Sequence, residues 1–198
     1  GGWYTEVLSP ILNERGVLYA AHFDQDSSVP FFRNMRSKFE QKIAGNQHYS
    51  NLKLTTFQPP NKIDIAPKAS ADFVLTFRNV HNWMRNDSEQ ASFDAFYAAL
   101  KPGGILGVIE HRAPESFNLQ KMVDSGYVSE WYVKKLAKEA GFEFMEGSEV
   151  NANSKDTKDH PKGVWTLPPS LRLGDTNKEK YLAIGESDRM TLKFKKPE

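Results

Sequence analysis

The chain has 198 residues, with 26 Lys and Arg against 25 Asp and Glu, 39% apolar residues and no cysteine. That length suits one domain with a sizeable core, and the near-balance of charge argues against electrostatic binding of nucleic acid. Disulfides and thiolate metal sites are excluded, and no run approaches the roughly 18 apolar residues that a membrane span needs.

Trp3 to Leu12 carries Val7, Leu8, Ile11 and Leu12 at helical spacing, which predicts a helix. Gly1 and Gly2 precede it, either as the tail of a ligand-cradling loop or as an ordinary exposed turn. Gly16 to Phe23 is an apolar run of strand length. Phe32, Met35, Phe39 and Ile43 then mark a helix that stops at Gly45. Asn51 to Phe57 alternates like a strand, and Ala71 to Phe77 is nearly all apolar, as in a strand buried on both faces. Phe93, Phe96, Tyr97 and Leu100 define the next helix, with Ser88 as its cap and Pro102-Gly103-Gly104 as its stop. Ile105 to His111 is a second buried strand. Ser129 to Phe142 is a helix stopped by Gly141, followed by a strand over Phe142 to Val150. Asn151 to Lys180 has little periodicity but holds Trp165, Leu167 and Leu171, which favours a lid or insertion on a single domain spanning 1–198. Met190 to Lys196 alternates as an edge strand, antiparallel to the strand at Phe142.

Strands alternating with helices through short links predict an α/β fold, Rossmann-like, with a doubly wound and mostly parallel sheet. Ligands in such sheets sit beyond the carboxyl ends of the strands. That rule directs attention to "TFRNVHNWM", where Arg78, Asn79, His81, Asn82 and Trp83 supply donors, acceptors, a titrating ring and a stacking surface. The alternative is a capping loop whose Trp83 fills the core. Glu110, His111 and Arg112 end the next strand, either to bind a charged substrate or to form a structural ion pair. His22, His48 and His160 lack metal-ligand spacing, so no metal is expected. No nucleophile elbow or phosphate-binding Gly-Lys-Ser/Thr loop is present.

The stretches "GGWYTEVL", "VLYAAHFD", "ADFVLTFRNVHNW", "LKPGGILGVIEHR" and "LAKEAGF" together resemble class I S-adenosylmethionine-dependent methyltransferases. The nearest likeness is to a group of small bacterial predicted methyltransferases, in which "NVHNW", "GVWTLPP" and "ESDRM" recur. The resemblance implies a seven-stranded sheet with an antiparallel last strand, and a first strand upstream of Gly1. It also implies S-adenosylmethionine as cofactor, held by Gly1 and Gly2 with Tyr4 and Thr5 behind them, and flanked by Arg78 and Asn79. An acidic residue usually ends the second strand in that family; here His22 stands in its place and Asp24 follows two residues later. The resemblance further implies a small-molecule acceptor walled by Asn82, Trp83, Arg112 and Trp165, with His81 as base and His111 as second choice. A non-catalytic binding protein on the same fold is the rival, and a nicotinamide-dependent oxidoreductase a weaker third. The expected compartment is the cytoplasm, or the periplasm if an upstream signal peptide exists, because relatives of the group often carry export signals.

Overall fold

The computed structural model describes residues 2–12 and 16–198. Gly1, one of the expected cofactor residues, lies outside them. The elements in order are α1 (Trp3–Leu8), β1 (Leu18–His22), α2 (Pro30–Ile43), β2 (Leu52–Thr56), β3 (Ala71–Phe77), α3 (Val80–Trp83), α4 (Glu89–Ala99), β4 (Leu100–His111), α5 (Leu119–Ser125), α6 (Glu130–Glu139), β5 (Glu143–Ser148), α7 (Lys178–Ile184) and β6 (Arg189–Lys195).

Among the described residues the strands form two sheets, β1-β2 and β3-β4-β6-β5. β1 pairs parallel with β2, and β3 parallel with β4. β6 runs antiparallel to both β4 and β5, so β3, β4 and β5 share one direction and the last strand alone opposes them. The mostly parallel sheet with an antiparallel last strand is therefore present. The expected edge position of the last strand is not: β6 lies between β4 and β5. Its inward residues Met190, Leu192 and Phe194 are all buried, which is why it alternates so cleanly, while β5 is exposed along its whole length.

β3 is also less buried than its composition predicts. Phe73 and Leu75 are 66% and 42% exposed, and among the described residues β3 pairs on one edge only. The core lies on the other side of this sheet, where α4 and α6 contribute Phe93, Phe96, Val133 and Leu136 against Leu106, Val108 and Leu192. Ser88 does not cap α4 through its side chain; its hydroxyl instead donates to Trp83 O. That bond ties the start of α4 to the end of α3.

Residues 151–188 contain little regular structure, yet they are held by buried polar groups. Asp156 accepts hydrogen bonds from the Tyr127 hydroxyl at 3.0 Å and from the backbone N–H of Lys158 and Asp188, and pairs with His160 Nε2 at 2.8 Å. A buried carboxylate satisfied by this many partners fixes its surroundings in one arrangement. A short 3₁₀ turn, Gly163–Thr166, packs tightly on α5: a Cβ added at Gly163 would stand 2.1 Å from Ser125 O.

Replacing Gly163 by Ala is expected to destabilise the protein by about 2–3 kcal/mol, through overpacking and a left-handed φ of +55°. Gly174→Ala has a similar φ of +58° but open space around it, and serves as the control for backbone strain alone. Thermal denaturation should show the larger fall in Tm for Gly163→Ala.

Candidate functional site

β3 and β4 end side by side, and the chain turns sharply after each. Arg78 adopts a left-handed φ of 57°, and its N–H bonds Ile109 O at 2.7 Å, which anchors the turn to β4. One residue further along β4, Glu110 is fully buried. Its Oε1 accepts from His111 N–H at 2.8 Å and faces His81 Nδ1 at 3.0 Å, while Oε2 accepts from His81 N–H at 3.3 Å. Burial by itself would raise the Glu110 pKa, but the two imidazoles and the N–H donors outweigh it and hold the carboxyl below its usual value. An ionised carboxylate only accepts, so the His81 ring carries a hydrogen on Nδ1 and turns Nε2 away from Glu110.

Above this pair lies a cavity of about 310 Å³, lined among others by Arg78, Asn79, His81, His111, Trp165 and Pro168. The ring of His81 is 5.3 Å from that of His111 and 5.9 Å from Trp165. His111 Nδ1 meets Ser187 Oγ at 2.5 Å. Burial pulls the pKa of His111 down; Glu110 opposes the shift, but His81, Arg189 and Arg78 reinforce it, and the result is about 3. His111 is thus a neutral ring at ordinary pH.

Five expected residues meet at this cavity: Arg78, Asn79, His81, His111 and Trp165. Three others are placed elsewhere. Trp83 packs in the core margin against Phe57 and Phe96, each 5.6 Å away. Asn82 is exposed, and its side chain donates to Arg78 O at 3.4 Å. Arg112 points into a charge cluster, forked onto Asp188 at 2.9 and 3.0 Å and onto Glu149 at 2.7 and 2.8 Å. These partners raise its pKa and leave no free edge for a substrate. Glu110 was weighed in the sequence only as part of a surface-rim trio; its burial beneath the turn has no sequence signature.

On the other side, Tyr4 stacks on Phe77 at 3.7 Å and lies 6.0 Å from the Arg78 guanidinium, so the start of α1 adjoins the turn after β3. Thr5 sits within α1, where its carbonyl accepts from the Ser9 N–H. Gly2 has φ 88°, and a Cβ there would meet the Phe39 ring at 2.6 Å. The glycine is required by close packing on α2. His22 stacks on Phe39 at 4.9 Å, accepts from Phe23 N–H, and has its pKa lowered to about 4, mainly by burial and then by Arg36. Asp24 pairs with Lys62 Nζ at 2.6 Å, and that hydrogen bond lowers its pKa.

His81, Glu110 and His111 offer ligand atoms within 4.8 Å of one another, close enough in principle to share a metal ion. Both Glu110 oxygens, however, already accept hydrogen bonds from N–H groups.

No protein-family model matches the chain, and no curated protein matches it in sequence. Solved structures do match its fold. A SAM dependent methyltransferase from Aquifex aeolicus aligns with a TM-score of 0.53 and 20% identity, over 75% of this chain and 71% of that one. A structure described as a putative sarcosine dimethylglycine methyltransferase from Galdieria sulphuraria aligns at 0.52 and 13%, over 86% and 68%. The [4+2]-cyclase SpnF aligns at 0.52 and 13%, over 86% of this chain and 65% of that one. The fold is the α/β fold of S-adenosylmethionine-dependent methyltransferases. The same architecture also serves a cyclase, so the reaction has to be argued from the site.

Because His111 stays unprotonated in the folded state down to about pH 3 while its unfolded pKa is near 6.5, the unfolded chain binds the extra proton between those values. Its contribution to stability is complete above pH 6.5 and is lost as the pH falls, at up to about 1.4 kcal/mol per pH unit. Urea unfolding between pH 6.5 and 4.5 should show this slope added to that of His22, whose pKa is lowered to about 4, and His111→Asn should reduce the total by about half.

Proposed function

We propose that the protein is an S-adenosylmethionine-dependent methyltransferase acting on a small molecule, with His81 as its general base and Glu110 as the group that positions it. The observation that carries this reading is the buried His81–Glu110 pair beneath a cavity at the carboxyl ends of β3 and β4, in a methyltransferase fold. An acceptor seated there loses a proton to His81 Nε2 as the nucleophilic atom develops charge. Glu110 holds the ring in the required tautomer and stabilises the imidazolium that results, while staying ionised itself. Trp165, Pro168 and Pro169 close the opposite side of the cavity and limit access of water.

The residues near β1 fit the cofactor in kind. Asp24 is an ionised carboxylate just past the end of β1, able to accept from ribose hydroxyls once the half-exposed Lys62 moves aside. Tyr4, Phe77, Arg78 and Asn79 form a continuous surface from α1 to the cavity. When bound, S-adenosylmethionine supplies a methyl group already activated by a sulfonium, so the chain has mainly to align the acceptor and remove its proton.

His81→Gln is expected to slow methyl transfer by about 10²–10⁴-fold and leave S-adenosylhomocysteine binding near normal. Glu110→Gln should act more weakly and shift the pH–rate profile, because the ring loses its charged partner. Turnover should survive chelation by EDTA; loss on chelation with rescue by a divalent metal would instead make His81, Glu110 and His111 a ligand set.

A second reading, a binding protein without turnover, is favoured by the engagement of Asp24 with Lys62 and by the neutral His22 at the position where an acid is usual. Calorimetry separates the two. The enzyme reading expects S-adenosylhomocysteine to bind, Asp24→Ala to weaken it about tenfold or more, and Lys62→Ala to leave it unchanged or tighter. Absence of binding at millimolar ligand would favour the second reading.

A further inference from the structure

The cavity has one permanent charge on its lining, Arg78, and no carboxylate. The other well-anchored arginines have carboxylate partners: Arg36 bonds Glu40 and two carbonyls, Arg112 bonds three carboxylates, and Arg189, whose Nε is also unmatched, bonds Glu186. Arg78 has no ion pair among the described residues, and its Nε is buried with no hydrogen-bond partner. That Nε is closed off from water, but the guanidinium belongs to the cavity lining and has no carboxylate partner among the described residues, so it is available to an acceptor that arrives from outside. The left-handed backbone at Arg78 is a second departure from ordinary geometry at the same residue.

The surroundings carry the same sign. Arg85 and Arg172 each place a guanidinium 4.6 Å from the centre of the Trp165 ring, and neither has a carboxylate partner among the described residues. The carboxylate beneath the cavity, Glu110, is fully buried and already matched by N–H donors. An anion entering the cavity therefore meets Arg78 and, among the described residues, no carboxylate on the lining, with Arg85 and Arg172 held at the Trp165 ring. Trp165 and the neighbouring prolines add flat apolar surface.

We propose that the molecule held in this cavity is a small planar carboxylic acid, its carboxylate forked onto Arg78 and its flat body against Trp165. Planar bidentate recognition is what a guanidinium does better than an ammonium. This assignment rests on the cavity being the acceptor site of the proposed methyltransferase.

The test uses benzoate and its neutral isostere benzamide as probes, titrated calorimetrically into the full chain with and without S-adenosylhomocysteine. The wild-type protein should bind benzoate at least about tenfold more tightly than benzamide, with the margin shrinking as salt rises. Arg78→Asn, chosen because Asn tolerates a left-handed φ, should bring the two probes within about twofold. Arg78→Lys should restore part of the difference. Equal affinity in the wild type, or a preference that survives Arg78→Asn, overturns the proposal. So does a third result: Arg78→Asn weakening S-adenosylhomocysteine but not 5′-methylthioadenosine, with the benzoate preference intact, which would assign Arg78 to the donor's carboxylate. If S-adenosylhomocysteine fails to bind while the benzoate preference holds and disappears in Arg78→Asn, the acid site stands and the methyltransferase reading falls.

Discussion

A single buried carboxylate organises the carboxyl end of the sheet. Glu110 sits at the last turn of β4 with no exposed surface, where an uncompensated charge would cost several kcal/mol. Its compensation comes from the backbone N–H groups of His81 and His111 and from the His81 ring. Two of these donors belong to the segment after β3, so the turn has to approach β4 closely and present its N–H groups inward. The left-handed Arg78 is the local consequence: it lets the chain reverse direction between Phe77 in the strand and His81 on the carboxylate. The cavity floor, the tautomer of His81 and the outward position of Arg78 follow from that one constraint.

The far wall of the cavity depends on a different set of charges. Residues 151–188 have too little helix or strand to position themselves, and Trp165 would have no fixed place if they relied on apolar contacts alone. Asp156 and Asp188 supply the order. Burial would raise the pKa of Asp188, yet hydrogen bonds from Arg112 and Lys158 bring it down to about 2, so it remains an anion that binds its partners throughout the physiological range. The two clusters touch through the His111–Ser187 contact, one residue before Asp188. The wall and the floor of the cavity are thereby coupled through the segment that the sequence reads as a lid or insertion.

Periodicity made the elements legible, and the rule for carboxyl ends of strands pointed to five residues that meet at one cavity. Both work because they depend on local pattern. The failures have nonlocal causes. "ADFVLTF" is apolar enough for a strand covered on both sides, but cover depends on which neighbours pack over it, and Phe73 and Leu75 are left 66% and 42% exposed. Trp83 and Trp165 look alike as stacking surfaces, and only the fold decides that the first fills the margin of the core while the second faces the cavity. Arg112 follows a strand just as Arg78 does; their surroundings diverge because Asp188 and Glu149, distant in sequence, close around one, while no carboxylate among the described residues pairs with the other. Gly2 marks a close approach, as glycines do, but the approaching group is Phe39 of the chain itself.

The two halves of the proposed site are prepared to different degrees, and this bears on how the protein would work. The acceptor side is preorganised: its base, positioning carboxylate and wall are fixed by buried groups whose partners are all internal. On the donor side Asp24 is held by an exposed lysine, an interaction that is weak, screened by salt and easily exchanged for another donor. Preorganisation matters most where charge develops during reaction, because dipoles already in place need no rearrangement as the transition state forms. Cofactor binding carries no such demand, and a displaceable ion pair can hold Asp24 ionised until ribose hydroxyls replace the lysine. A rigid proton acceptor beside an adjustable nucleoside side is the arrangement that the proposed methyl transfer would use.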